Sequence, residues 1–424
     1  MSKKILIVGG GIIGICSAYY LSKSGHDVTI IDKYGMNSGA SYVNAGYLSP
    51  GHIIPLAAPG VIKQGLKWMF NSSSPFYIEP RINVDFFKWL YAFNKSCSEN
   101  NVKSSIVPII EMSLLSQELL KDIKKDNDMG FHYDQKGLLM LCKTEKSLEK
   151  EKEVVDLAVQ NGLRAKILNQ NEIKTIEPNV NIDSIGAAYF YCDHHTTPGE
   201  LINELKDYIQ KKGVKCITHT EIESFHIENN NIKSVNISNQ NLSFDEYVLS
   251  AGTWTSKLCK KLGIELLLQA GKGYSVNHSS KTGISCPAIL VEPKCAITPM
   301  NGFTRYSGTM EISSINNRIR KNRVNAICDA VESFYPSVKI PEIDRDDAGY
   351  GFRPISADGV PYIGRTKNLK NVIIATGHAM MGWSMSTGTG KSFQKLLTKN
   401  KPVLILGGLT QIENFNSFAY NLQP

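Results

Sequence analysis

The stretch Val8-Gly9-Gly10-Gly11-Ile12-Ile13-Gly14 constrains this chain more than any other. Ile5 to Val8 before it is a short apolar run, as expected of a strand buried on both faces. Ile12, Ile15, Cys16 and Tyr19 after it recur at helical spacing, and Gly25 is placed to end that helix. A second apolar run, Val28 to Ile31, ends in Asp32. Strand, glycine turn, helix and strand in this order predict a βαβ unit that takes a dinucleotide. In such a unit Gly9 permits the tight turn, Gly11 lets the backbone approach a pyrophosphate, and Gly14 lets the helix sit close to the strand. The helix start at Ile12 and Ile13, with Gly10 beside it, offers free N–H groups and a partial positive charge to phosphates. Asp32, eighteen residues after Gly14, stands where a carboxylate meets ribose hydroxyls. The fingerprint alone does not choose between a nicotinamide and a flavin dinucleotide.

A chain of 424 residues has room for two domains. Its hydrophobic fraction of 42% and charged fraction of 20% place it among ordinary globular proteins. The net charge of +8 is spread along the chain, with no basic block that points to nucleic acid. It suits anionic substrates or loose contact with an anionic membrane surface. No apolar run reaches the roughly 18 residues of a spanning helix. The N-terminus enters the first strand at once, leaving no room for a signal peptide. The nine cysteines form no C-x-x-C pair. The expectation is a reduced protein without a metal site, in the cytoplasm or peripheral on the inner face of the cell membrane.

Beyond Asp32 and Lys33 lies a loop of small residues, Gly35 to Ser41, then Asn44-Ala45-Gly46-Tyr47-Leu48-Ser49-Pro50-Gly51-His52. Small side chains let backbone come close to a flat ring. Residues 55–125 read mostly as helices, with an aromatic stretch from Trp68 to Phe93 expected in the core rather than on a membrane-facing surface. Thr197-Pro198-Gly199-Glu200 predicts a capping box with proline at the first helical position. Val214 to Ile217, Tyr247 to Leu249 and Val372 to Thr376 read as further strands. Residues 265–310 alternate in the period-two manner of antiparallel strands.

Taken together, these turns resemble the D-amino-acid oxidase superfamily of FAD-dependent amine oxidoreductases, and within it the bacterial D-amino-acid dehydrogenase branch. The marks are Gly9 to Gly14, Asn44-Ala45-Gly46, Ser49-Pro50-Gly51, Trp68-Met69-Phe70, Ala251-Gly252, Lys272-Gly273-Tyr274-Ser275, Gly351-Phe352-Arg353-Pro354, Thr376-Gly377-His378 and Gly382-Trp383. The resemblance implies an α/β fold. A discontinuous Rossmann-like FAD-binding domain of glutathione-reductase type (residues 1–50, 192–262 and 345–400) interleaves with an antiparallel-sheet-plus-helices substrate domain (51–191 and 263–344), and 401–424 form a tail.

The resemblance also implies residue roles. Gly9, Gly10, Gly11, Ile12, Ile13, Gly14, Asp32 and Lys33 hold the ADP half of FAD. Ser41, Asn44, Ala45, Gly46 and Leu48 line the ribityl chain and flavin. Ile222 meets the adenine through its backbone. Ala251 and Gly252 approach the phosphates. Gly351, Gly377, His378, Met381, Gly382 and Trp383 meet the flavin ring. A helix starting near Gly382 turns its positive end to the flavin, which raises the ring's electron affinity. The C-terminal turn has no cysteine and residues 39–46 no histidine, so the expected FAD is non-covalent.

On the substrate side, Arg353 next to a glycine turn is expected to take a carboxylate bidentately; the competing reading pairs it with Asp346 or Asp347. Tyr274 and His52 are expected to position the substrate, and Arg305 is a weaker candidate. The chemistry needs positioning and a neutral amine rather than an acid–base pair. The implied reaction is oxidation of D-amino acids to 2-oxo acids and ammonia, with electrons passed to a quinone or carrier. The alternative substrates are secondary amine acids (D-proline, hydroxyproline, sarcosine) or glycine.

Overall fold

In the computed structural model, residues 2–68 and 74–399 are described. Six strands form one sheet in the order Lys215–Ile217, Asp27–Ile31, Lys4–Val8, Glu246–Leu249, Val372–Thr376, Tyr362–Arg365. All neighbours are parallel except the last pair. Alternate residues of Lys4–Val8 serve opposite faces, as strand geometry requires. Ile5 and Ile7 join the core beneath the helices Ile12–Lys23 and Ser386–Lys399. Leu6 and Val8 join the core that includes Ile232 and Cys259 on the other side. The fingerprint turn thus projects from the C-terminal edge of a parallel sheet buried on both faces.

A nine-stranded sheet stands beside it. Its longest strands, Leu268–His278 and Phe303–Ile312, are antiparallel, and the helix Lys321–Phe334 packs its Val324, Ile327 and Val331 into the same core. The strand Gly349–Ser356 pairs along Leu268–Ser275 in this sheet. Residues from 345 onward were expected with the nucleotide-binding part, so the return to the six-stranded sheet falls after Ser356. Period-two alternation in 349–356 is the same in either sheet, and only the partner strand decides.

The long helix Glu99–Asp126 likewise crosses the expected division. Its Ile109, Met112 and Leu120 are buried with residues of the first helix. In the aromatic stretch Phe86, Trp89 and Phe93 are core, whereas Phe87 and Tyr91 are exposed. Met69 and Phe70, and the tail 401–424, lie outside the described residues.

The predicted capping box does not form. Pro198 does open the helix Pro198–Lys211, but Thr197 makes no side-chain cap. Its Oγ1 lies 3.0 Å from His132 Nδ1 and accepts from the Asn301 N–H at 2.9 Å. Glu200 accepts from the His132 N–H and the Asn301 amide. Tertiary partners win over the local motif here because both side chains face a neighbouring loop.

Candidate active site

A cavity of about 690 Å³ runs from the fingerprint turn to the antiparallel sheet. Gly9, Gly10, Gly11, Ile12 and Ile13 line one end, with Asp32, Lys33 and Ile222. Gly14 stands behind them. A Cβ there would lie 1.9 Å from the Gly9 carbonyl oxygen, so only glycine allows this approach of helix to strand. Asp32 Oδ2 accepts from the Gly10 N–H at 2.7 Å and Oδ1 from the Tyr34 N–H at 2.7 Å. The carboxylate therefore fixes the turn and keeps lone pairs for a diol. Ser41 Oγ accepts from the Ile12 N–H at 3.0 Å, which places its hydroxyl at the helix start. Lys33 pairs with Glu221. The Ile222 carbonyl accepts from Lys261 Nζ at 2.9 Å, so that half of its backbone is already engaged.

Asn44, Ala45, Ala251 and Gly252 line the middle of the cavity, with Gly351, His378, Met381, Gly382 and Trp383 further in. Three expected lining positions lie behind the wall. Leu48 is buried in the helix-packed core, and its carbonyl accepts from Gln117. Gly46 packs on the strand His194–Thr196, where a Cβ would lie 2.1 Å from the Thr196 carbonyl oxygen. Gly377 abuts Ser356 and Tyr362. In each case the chain alternates, and the neighbours Ala45, Tyr47 and His378 face the cavity instead. Trp383 is held by its indole N–H, which donates to Thr196 Oγ1 at 2.9 Å.

At the far end stands Arg353. No acidic group pairs with it among the described residues; Asp346 pairs with Lys321 instead. One amino group, Nη1, donates to the Thr309 carbonyl at 2.9 Å. Burial alone pushes the guanidinium down to about 10, so it stays charged at neutral pH. Space for it comes from Gly273 on the adjacent strand, where a Cβ would lie 2.1 Å from Nη1. A cation held in an apolar wall without a counter-charge is costly unless a bound anion completes it.

His52 also lines the cavity, and its ring makes no hydrogen bond to protein among the described residues. Burial, helped by Lys294, pushes it down to about 4, so it is neutral. Burial pushes His378 down to about 3, and its Nε2 lies 3.1 Å from Thr389 Oγ1. Tyr274 lines the wall, but its hydroxyl donates to Glu311 at 3.2 Å, and that carboxylate is itself paired with Arg320 and Arg323. Its expected contact with a substrate carboxylate is therefore not what this geometry offers. Arg305 is also structural, since its Nη1 donates to the carbonyls of Tyr42 and Asn44. Sequence reasoning missed Thr309, Lys294, Met140 and Ile289. None carries a local motif, and only strand pairing brings them to the cavity.

The glycine cradle, the placed Asp32 and a long cavity with mostly apolar walls fit a flavin dinucleotide. The family model of FAD-dependent oxidoreductases matches residues 4–396, and the chain belongs to that family. It is an FAD-dependent oxidoreductase. Among its relatives, a D-amino acid dehydrogenase of Bradyrhizobium diazoefficiens is 30% identical over 96% of this chain and 98% of the relative. A D-amino acid dehydrogenase of Vibrio vulnificus is 27% identical over 93% of this chain and 96% of the relative. The L-proline dehydrogenase of P. horikoshii shares the fold at a TM-score of 0.73 and 20% identity, covering 94% of each chain. So does the glycine oxidase of Geobacillus kaustophilus, at 0.72 and 20%, covering 95% and 96%.

Proposed function

We propose that this protein is a dehydrogenase that oxidises D-amino acids to 2-oxo acids and ammonia and passes the electrons to a quinone or carrier. The observation that carries the reading is Arg353, a cation without a counter-charge, facing the cavity opposite the nucleotide cradle. The names of the relatives support the substrate class. FAD, when bound, supplies the two-electron acceptor. The turn from Gly9 to Ile13 and Asp32 would hold its nucleotide half without a covalent link, so acid or heat should release it.

The remaining work falls to the chain. Arg353 takes the substrate carboxylate on the N–H groups that Thr309 leaves free. The Thr309 carbonyl pins the guanidinium plane, so the carboxylate is fixed in direction as well as place. His52, kept neutral by burial and by Lys294, offers the amine a lone pair. Met140, Leu138 and Ile289 exclude water from the side-chain end. The imino acid needs no protein group to hydrolyse once released.

We also propose peripheral membrane contact through the helix Val84–Ser96, where Val84, Phe87 and Tyr91 are exposed along one face after a fully exposed Ile82. No helix among the described residues is long and apolar enough to cross a membrane. Anaerobic flavin bleaching with D-, L- and N-methyl amino acids tests the substrate class. Fastest reduction by D-amino acids is expected. Preference for D-proline, sarcosine or glycine replaces the substrate, and no bleaching by any of them removes the proposal.

A further inference from the structure

Behind the cavity wall, a three-stranded sheet ties Tyr47–Leu48, His194–Thr196 and Tyr133–Asp134 together. It brings His132, Asp134 and His195 to one point. Asp134 and His195 are direct partners across the antiparallel pair, so their side chains leave the same face. His132 is two residues before Asp134, the spacing that returns to that face. One donor atom from each lies within 4.8 Å of the others. His132 Nε2 is 3.4 Å from Asp134 Oδ2. The His132 ring is aimed by Thr197, which occupies Nδ1 and leaves Nε2 turned to the cluster.

His195 is the unusual member. It is 0% exposed, and neither ring nitrogen has a hydrogen-bond partner. Leaving a buried polar group unpaired costs its desolvation without return. The Pro299 carbonyl acts on the ring but lies outside hydrogen-bond geometry. A small tilt would let that carbonyl take one N–H and turn the other nitrogen's lone pair into the cluster. This is the outer-shell arrangement that orients metal-ligating histidines. A lysine, Lys136, already sits 2.9 Å from Asp134 Oδ2, half exposed and free to withdraw.

We propose that His132, Asp134 and His195 form a site for a divalent transition metal, with zinc the best match. Two imidazoles and a carboxylate suit zinc and its neighbours, with water in the fourth position. Calcium and magnesium prefer oxygen donors throughout. Metal–ligand bonds of about 2.0–2.2 Å need the three atoms to draw together by side-chain rotation. None of the three lines the cavity, so the site is separate from the flavin chemistry. Its effect is mechanical. His195 is followed by Thr196, which receives the Trp383 N–H and donates its own N–H to the Gly46 carbonyl. A metal there clamps the strand on which both depend. Expecting no metal from the scattered cysteines overlooked this set, because its ligands come from two distant segments.

The test is calorimetric titration of the untagged, chelator-washed, FAD-loaded protein with zinc chloride, with melting curves alongside. About one zinc per chain and a saturable rise in melting temperature are expected. His132→Ala and Asp134→Asn lie at the accessible side and should leave FAD content unchanged. Each should weaken zinc roughly tenfold or more. Zinc X-ray absorption of the wild type should show two imidazole nitrogens at about 2.0 Å. No saturable binding, or binding that both variants leave unaltered, overturns the site.

Discussion

At the nucleotide end of the cavity the walls are largely backbone: the turn from Gly9 to Ile13, the N–H groups that Asp32 fixes, and the strand edges around Ala251. At the proposed substrate end they are single features from separate strands: the Arg353 side chain from 349–356, the Gly273 gap from 268–278, and the Thr309 carbonyl from 303–312. The first end is specified within one βαβ unit. The second exists only when three strands of another sheet are in register. Changes at one end should therefore affect cofactor retention, and changes at the other should affect turnover with the cofactor in place.

The largest effect is expected from Arg353→Met. Losing one partner of a buried charge pair costs about 3–5 kcal/mol, or two to four powers of ten in kcat/KM for amino acids. FAD content and the melting curve should stay as in the wild type. Arg353→Lys should recover part of the loss, because a point charge cannot reproduce the planar fork. Steady-state kinetics and the flavin absorbance ratio check both.

Asp32→Ala should produce the converse pattern. Hydrogen bonds to a charged group contribute about 1.5–3 kcal/mol, so FAD affinity should fall tenfold to over a hundredfold. The protein should purify partly as apoprotein and regain full turnover with added FAD. A mutant that keeps full occupancy in dilute FAD would break the division between the ends.

Gly273→Ala sharpens it. The new methyl collides with the guanidinium, and overpacking of this kind costs about 1–3 kcal/mol. KM for amino acids should rise roughly fivefold to over a hundredfold with FAD retained. An unchanged KM would mean that Arg353 has room to move aside and still bind.

The smallest effect concerns pH. Burial holds His52, His194 and His195 near 4 in the folded chain, below the unfolded value near 6.5. Their contribution is fully present above about 6.5 and is lost as pH falls toward 4. Burial pushes Asp193 up to about 7, against an unfolded value near 3.8. Its term runs the other way, fully present below about 3.8 and lost as pH rises from there through 7. The Oδ1 atom accepts from the Gly51 N–H at 2.8 Å, while Oδ2 has no partner. Asp193→Asn should therefore raise the melting temperature by about 1–3 °C at pH 8 and by less than half as much at pH 5. A shift of equal size at both values would contradict the assignment.

Much of the nucleotide end was legible in the sequence because its geometry is local. Glycines at fixed spacing, an apolar run on each side and an acid at the strand end leave one arrangement open. The identity of Arg353 was legible too, but its setting was not. Asp346 stood close in sequence, and only the structure shows it paired with Lys321. Tyr274 looked available until the strand pairing brought Glu311 to its hydroxyl. Thr197 and Glu200 matched a capping motif that neighbouring His132 and Asn301 outcompete. Leu48 and Gly46 fell behind the wall because a strand sends alternate residues to opposite sides.

The central claim is that Arg353 clamps the substrate carboxylate. The direct measurement is the anaerobic rate of flavin reduction by D-alanine and by ethylamine, its decarboxylated analogue, in wild type and Arg353→Met. The account predicts a loss of two to four powers of ten for D-alanine and little change, or a gain, in the slow rate with ethylamine. Equal losses for the two amines, with a lowered melting temperature, would make Arg353 a structural residue and contradict the account.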